Sequence, residues 1–189
     1  MKKTSFLYLA ILALGMAGFI ACNSAESSNA GDANAAPATE TTTYANVDAM
    51  VAEAKASIAQ ITVADFKAAY DNGDEYVLLD VREQNEYNGG YIPYCVLMPR
   101  GVLEFRISNE SVWDNEGLYA PEKDALIYIY CKKGSRGALA AKSLESMGYT
   151  NVKNIDGGFN AWKVAYPDDV EVVEVPEGGA APAADEGGC

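Results

Sequence analysis

From residue 61 to residue 165 the chain alternates short apolar runs with stretches of helical periodicity. Residues 76–80 (YVLLD) form a continuous apolar run closed by an acid, the pattern of a strand buried on both faces of a parallel sheet. Further strands are expected at 94–98 (YCVLM, stopped by Pro99), 126–130 (LIYIY) and 152–155 (VKNI). A helix over 63–70 opens on Thr62 with Asp65 in capping position, and Asn72-Gly73 ends it. Shorter helices are expected at 83–87, 103–107 and 159–162, the last behind Gly157-Gly158. Residues 137–147 (GALAAKSLESM) carry helical spacing, with Gly148 as the C-terminal cap. Residues 108–121 read as an irregular connection, and 47–60 (VDAMVAEAKASIAQ) as a helical extension ahead of the domain. Strands alternating with helices imply an α/β fold with a mostly parallel sheet and helices on both faces. Ligands in such sheets bind beyond the C-terminal ends of the strands.

The flanking regions differ in composition. Lys2 and Lys3 precede an apolar run over 6–20 that ends in Phe19-Ile20-Ala21-Cys22, which resembles a bacterial lipoprotein signal. That resemblance implies removal of residues 1–21 and lipidation of Cys22, with Phe19 standing where the motif usually has leucine. The apolar run is shorter than the ~20 residues of a membrane span. Residues 22–46 then read as the lipidated cysteine and a flexible linker, since Ala, Ser, Thr and Asn bury too little surface to order themselves. Residues 47–60 are the helical extension, 61–165 the functional domain, and 166–189 an acidic low-complexity tail ending in Cys189. This organisation expects a domain held by a lipid anchor in the bacterial cell envelope, on the periplasmic face of the outer membrane.

The 189 residues carry a formal charge of −13 and no histidine. The acidity argues against a nucleic-acid partner and against electrostatic binding to an anionic membrane. Lack of histidine excludes a Ser-His-Asp triad, a Cys-His dyad and a histidine-ligated metal. The four cysteines show no CxxC spacing, so neither a metal nor another cofactor is expected.

Positive charge is nevertheless concentrated at one place. Cys131 stands between the strand pattern ending at Tyr130 and the helical pattern beginning at Gly137, and Lys132, Lys133 and Arg136 follow it. A cysteine on a strand-to-helix turn faces the free N–H groups and positive dipole end of the helix, a setting that favours thiolate. The pattern is that of a nucleophile handling an anion.

Four segments together resemble a single-domain rhodanese, a sulfurtransferase family. They are Leu79-Asp80-Val81-Arg82, Glu86-Tyr87 through Gly90-Tyr91-Ile92-Pro93, Cys131-Lys132-Lys133-Gly134-Ser135-Arg136, and Asp156-Gly157-Gly158-Phe159-Asn160-Ala161-Trp162. The resemblance implies a three-layer α/β/α domain that moves a sulfane sulfur from a small anionic donor such as thiosulfate to cyanide or a thiol, through a persulfide on Cys131. It implies an N–H nest from Lys132, Lys133, Gly134, Ser135 and Arg136 around the terminal sulfur, with Arg136 offering charge to the bound anion. Asp80 and Arg82 would order the loops beside the site. The stretch from Cys131 to Arg136 has the length of sulfur-transferring members, one residue shorter than in the related tyrosine phosphatases. Glu86 departs from thiosulfate-using members that carry arginine there. Tyr91 replaces a common histidine and Tyr94-Cys95 replaces Gly-Ala, which read as packing substitutions. Two other readings stay open: a binding module without catalysis, and a redox sensor in which Cys95 or Cys189 pairs with Cys131.

Overall fold

A computed structural model describes residues 42–173. The signal segment, Cys22, most of the linker and the end of the tail with Cys189 lie outside the described residues. The sheet has five strands, β1 (Ala59–Ile61), β2 (Val77–Asp80), β3 (Val96–Leu97), β4 (Ile127–Tyr130) and β5 (Val152–Ile155). All neighbours are parallel, in the order β1-β5-β4-β2-β3. The central strand β4 is buried along its whole length, as its unbroken apolar run requires.

Among the described residues seven α-helices complete the layers: α1 (Val47–Ser57), α2 (Val63–Asn72), α3 (Gln84–Asn88), α4 (Leu103–Arg106), α5 (Glu110–Asn115), α6 (Ser135–Ser146) and α7 (Gly158–Ala165). One face of the sheet offers Leu79, Ile127, Ile129 and Val152 to Ala54 of α1, Leu103 of α4, Trp113 of α5 and the alanine stripe of α6. The other face offers Leu78, Tyr128, Tyr130 and Ile155 to Phe66 of α2 and to Phe159 and Trp162 of α7. Alternation along each strand decides which core a side chain joins. The expected α/β/α layering with a parallel sheet is therefore observed, with every strand parallel.

Several elements differ from their sequence pattern, each for a tertiary reason. The helix expected over 47–60 ends at Ser57, where Ile58 turns extended and enters the α1–α6 core. Residues 59–61 then pair with β5, and ladder bonds override the helical propensity of that segment. Residues 108–121 contain α5, capped by the Asn109 side chain on the Ser111 N–H at 3.1 Å. Its anchor is fully buried Trp113, whose indole N–H donates to the Ile107 carbonyl at 2.8 Å. Residues assigned to the tail pack on the domain instead: Trp162 donates to the Asp169 carbonyl at 2.7 Å, and Glu171 bridges Tyr91. Tyr94 is no packing substitution either. It is 83% exposed and takes φ +65, the left-handed region that a glycine adopts without strain.

Candidate active site

Cys131 follows β4 directly, beyond the C-terminal edge of the sheet, and α6 begins four residues later. The chain makes this tight return because Gly134 takes φ +89. Its N–H then donates to Cys131 Sγ at 3.2 Å, and the sulfur's residue is only 2% exposed. Among the described residues, the backbone N–H groups of Lys132, Lys133, Ser135 and Arg136 have no acceptor in the protein. A concave run of unsatisfied donors at a helix start suits an anion or a charged terminal sulfur.

The loop is clamped from beneath by the first turn of α7. The N–H of Phe159 donates to the Cys131 carbonyl at 2.8 Å, and that of Asn160 to the Lys132 carbonyl at 3.0 Å. This contact requires Gly158, because a Cβ there would lie 2.2 Å from the Cys131 carbonyl oxygen. Behind the loop, Gly137 lies so close to the buried Asn154 side chain that a Cβ would come within 2.2 Å of Asn154 Oδ1. Asn154 is itself held by Gln60 at 2.8 Å, which ties the loop's support to β1.

A second segment is fixed beside the loop by Asp80 and Arg82, both buried. Arg82 forks onto Asp80 with Nε at 2.9 Å and Nη2 at 2.6 Å from the two carboxylate oxygens. It also donates to the Glu86 carbonyl at 3.2 Å and the Gly90 carbonyl at 2.8 Å, and lies 4.1 Å from the Phe159 ring centre. Burial is the largest influence on Arg82 and pulls its pKa down, but the hydrogen bonds and charge of Asp80 more than offset it. The pair thus positions the segment 86–90 without reaching the thiol.

That segment delivers Glu86, whose carboxylate receives Arg136 in a two-pronged pair at 2.6 and 2.8 Å. The Arg136 guanidinium holds the Glu86 carboxyl below its ordinary value, so the pair stays ionised at neutral pH and opens only with acid. Arg136 therefore ties the loop to the segment of Glu86, and its charge is matched there rather than left for an incoming anion as the resemblance implied. Lys132 and Lys133 are exposed. A cleft of about 250 Å³ opens beside the loop, lined by Lys132, Glu86, Phe159, Asn160 and Lys163 among others. The sequence signals missed here are Glu86 as the partner of Arg136, the clamp at Gly158, and Lys163. The opposite charges of Glu86 and Arg136 in neighbouring motifs were the one legible hint.

Cys95 and Cys131 contribute to different cores. Cys131 belongs to the α1–α6 core, whereas Cys95 packs against the α2–α7 core. The Tyr130 hydroxyl donates to Cys95 Sγ at 3.2 Å. Burial pushes the Cys95 thiol up to about 12, so it is protonated at neutral pH.

The rhodanese-like domain family matches residues 62–165. The Bacillus subtilis protein YrkF is 34% identical over 58% of this chain and 54% of its own length, so the chain spans about half of that relative. Thiosulfate sulfurtransferase GlpE of Pseudoalteromonas translucida is 31% identical over 52% of this chain and 83% of its own. Among solved structures, RPA3614 of Rhodopseudomonas palustris, described as of unknown function and a possible tyrosine phosphatase, is 34% identical with a TM-score of 0.55. That match covers 66% of this chain and 94% of the other.

Proposed function

Because the chain belongs to the rhodanese-like domain family, we propose that it is a sulfurtransferase that carries its sulfur as a persulfide on Cys131. The observation that carries this reading is the Cys131 sulfur in the turn between β4 and α6, accepting the Gly134 N–H at 3.2 Å, with the other N–H groups of the turn left without a backbone acceptor. In the first half-reaction the Cys131 thiolate attacks the outer sulfur of thiosulfate. The S–S bond of the donor breaks, and sulfite leaves with the bonding electron pair. In the second, an acceptor nucleophile takes the outer sulfur, and the electron pair of the broken bond returns to Cys131. The N–H donors of the loop are available to receive the charge on the outer sulfur.

The alternatives find less support. A phosphatase needs a protonated acid for its leaving group. Glu86, the carboxylate beside the loop, is held ionised by Arg136. A sensor that couples Cys131 to Cys95 needs a readily ionised partner thiol, whereas burial pushes Cys95 up to about 12. The direct test is thiocyanate formation from thiosulfate and cyanide. Cys131→Ala is expected to lower turnover more than about a thousandfold, and equal turnover in both proteins removes Cys131 from the mechanism.

Thiosulfate is a dianion, and the Glu86 carboxylate competes with it for Arg136. Glu86→Gln is expected to lower KM for thiosulfate by about three- to tenfold, the scale of one partly exposed charge pair. An unchanged or higher KM would mean that Arg136 is not available to the donor even when released.

A further inference from the structure

The cleft beside the loop has a chemistry that the transfer of sulfur to cyanide does not use. Its two fixed ion pairs are internally neutral: Arg82 is matched by Asp80, and Glu86 by Arg136. Lys132 and Lys163 remain, and neither has an acidic partner among the described residues. Two unmatched cations thus face one small cleft on a chain of formal charge −13. Lys163 lies one helical turn beyond Phe159, with its Nζ 5.9 Å from that ring's centre. The ring, in turn, rests on Arg82. The Asn160 side chain adds an amide to the same wall.

The cleft also borders the loop that carries Cys131. Its residues Lys132, Phe159 and Asn160 belong to the clamp that holds the Cys131 and Lys132 carbonyls. A volume of about 250 Å³ holds roughly eight water-sized groups. That suits a small molecule with a carboxylate at one end and a sulfur at the other, and is too small for a folded partner.

We propose that this cleft binds the carboxylate-bearing end of a small acidic thiol, the acceptor of the sulfur carried on Cys131, with Lys163 as its specificity-determining residue. The inference rests on the sulfurtransferase reading and extends it to the second substrate. The acceptor's thiolate attacks the outer sulfur of the Cys131 persulfide. The S–S bond to Cys131 breaks, its electron pair stays on the Cys131 sulfur, and the acceptor leaves as its own persulfide, carrying any proton of the outer sulfur. The lysines hold the carboxylate throughout and take no part in the bond exchange.

The test loads Cys131 in the full chain and compares mercaptosuccinate with uncharged 2-mercaptoethanol as acceptors. In Lys163→Glu the ratio of kcat/KM for mercaptosuccinate to that for 2-mercaptoethanol should fall about tenfold, with Lys163→Ala in between. An unchanged ratio overturns the proposal. If Cys131 takes up no sulfur at all, the sulfurtransferase reading fails, and alkylation then decides the cleft separately. Succinate should slow the reaction of iodoacetamide with Cys131 in the wild type and not in Lys163→Glu. No protection, or equal protection in both proteins, overturns the proposal.

Discussion

Replacing Gly158 by alanine is expected to unseat the Cys131 loop and cost about 3–4 kcal/mol of stability. Gly158 takes φ +56, and the new Cβ would meet two backbone atoms, the Cys131 oxygen at 2.2 Å and the Gly134 nitrogen at 3.0 Å. Neither can rotate away as a side chain could. Helix α7 must therefore retreat, breaking the bonds from Phe159 to the Cys131 carbonyl and from Asn160 to the Lys132 carbonyl. Left-handed strain of about 1–2 kcal/mol adds to the loss of two hydrogen bonds worth about 1 kcal/mol each. Thermal unfolding should move down by about 10 °C or more. Sulfur transfer should fall about a hundredfold, because a displacement near 1 Å of the reacting group has that effect. Gly148→Ala is the control, since Gly148 is also left-handed, at φ +90, but a Cβ there meets nothing within 4 Å. If the two variants melt alike and transfer sulfur alike, the clamp has no role in positioning Cys131.

The second large effect is expected at Asp80. Asp80→Ala leaves Arg82 buried with its charge unmatched, a loss of about 3–5 kcal/mol for a buried pair broken on one side. The same change loosens the segment that Arg82 holds through the Glu86 and Gly90 carbonyls. Activity should therefore fall together with stability, although neither side chain touches the sulfur. Arg82→Ala removes the charge itself, and the double variant should be less damaged than the sum of the singles. Denaturant unfolding of the three variants measures the coupling. Additive losses, or a loss below about 1 kcal/mol for Asp80→Ala, would show that the pair behaves as a surface ion pair.

What was readable in the sequence, and what was not, follows the range of the forces involved. Strands β2 and β4 announce themselves because burial on both faces demands near-continuous apolar runs. Helix α2 was legible through its Thr62 cap and Gly73 stop, both local devices. Strand β1 was hidden because its three residues owe their conformation to pairing with β5, more than ninety positions away. Helix α5 was hidden because a single buried tryptophan among polar residues leaves no periodicity to read. The same division applies to the site. Cys131 through Arg136 is contiguous, so its turn glycine and cations could be recognised as a unit. The partners that give it shape, Glu86, Gly158 and Asn154, come from three other segments, and only the fold brings them together.

Glu86 illustrates why placement matters. As a carboxylate near an anion-handling loop it looks misplaced, whereas in the structure it is the counter-charge that fixes Arg136. The loop's remaining attraction for an anion then comes from exposed Lys132 and Lys133 and from its backbone N–H groups. Such donors favour a compact charge at the sulfur itself rather than a dianion held at long range.

Whether Cys131 carries the sulfur is decided by peptide mapping after exposure to a sulfane-sulfur donor. The protein is incubated with thiosulfate or an organic polysulfide, freed of excess donor, and digested without reductant. One extra sulfur atom is expected on the peptide that contains Cys131, with its release on addition of a thiol or cyanide, and none on the peptide that contains Cys95. A Cys131 peptide that gains no sulfur from any donor, or sulfur distributed equally between Cys131 and Cys95, would contradict this expectation.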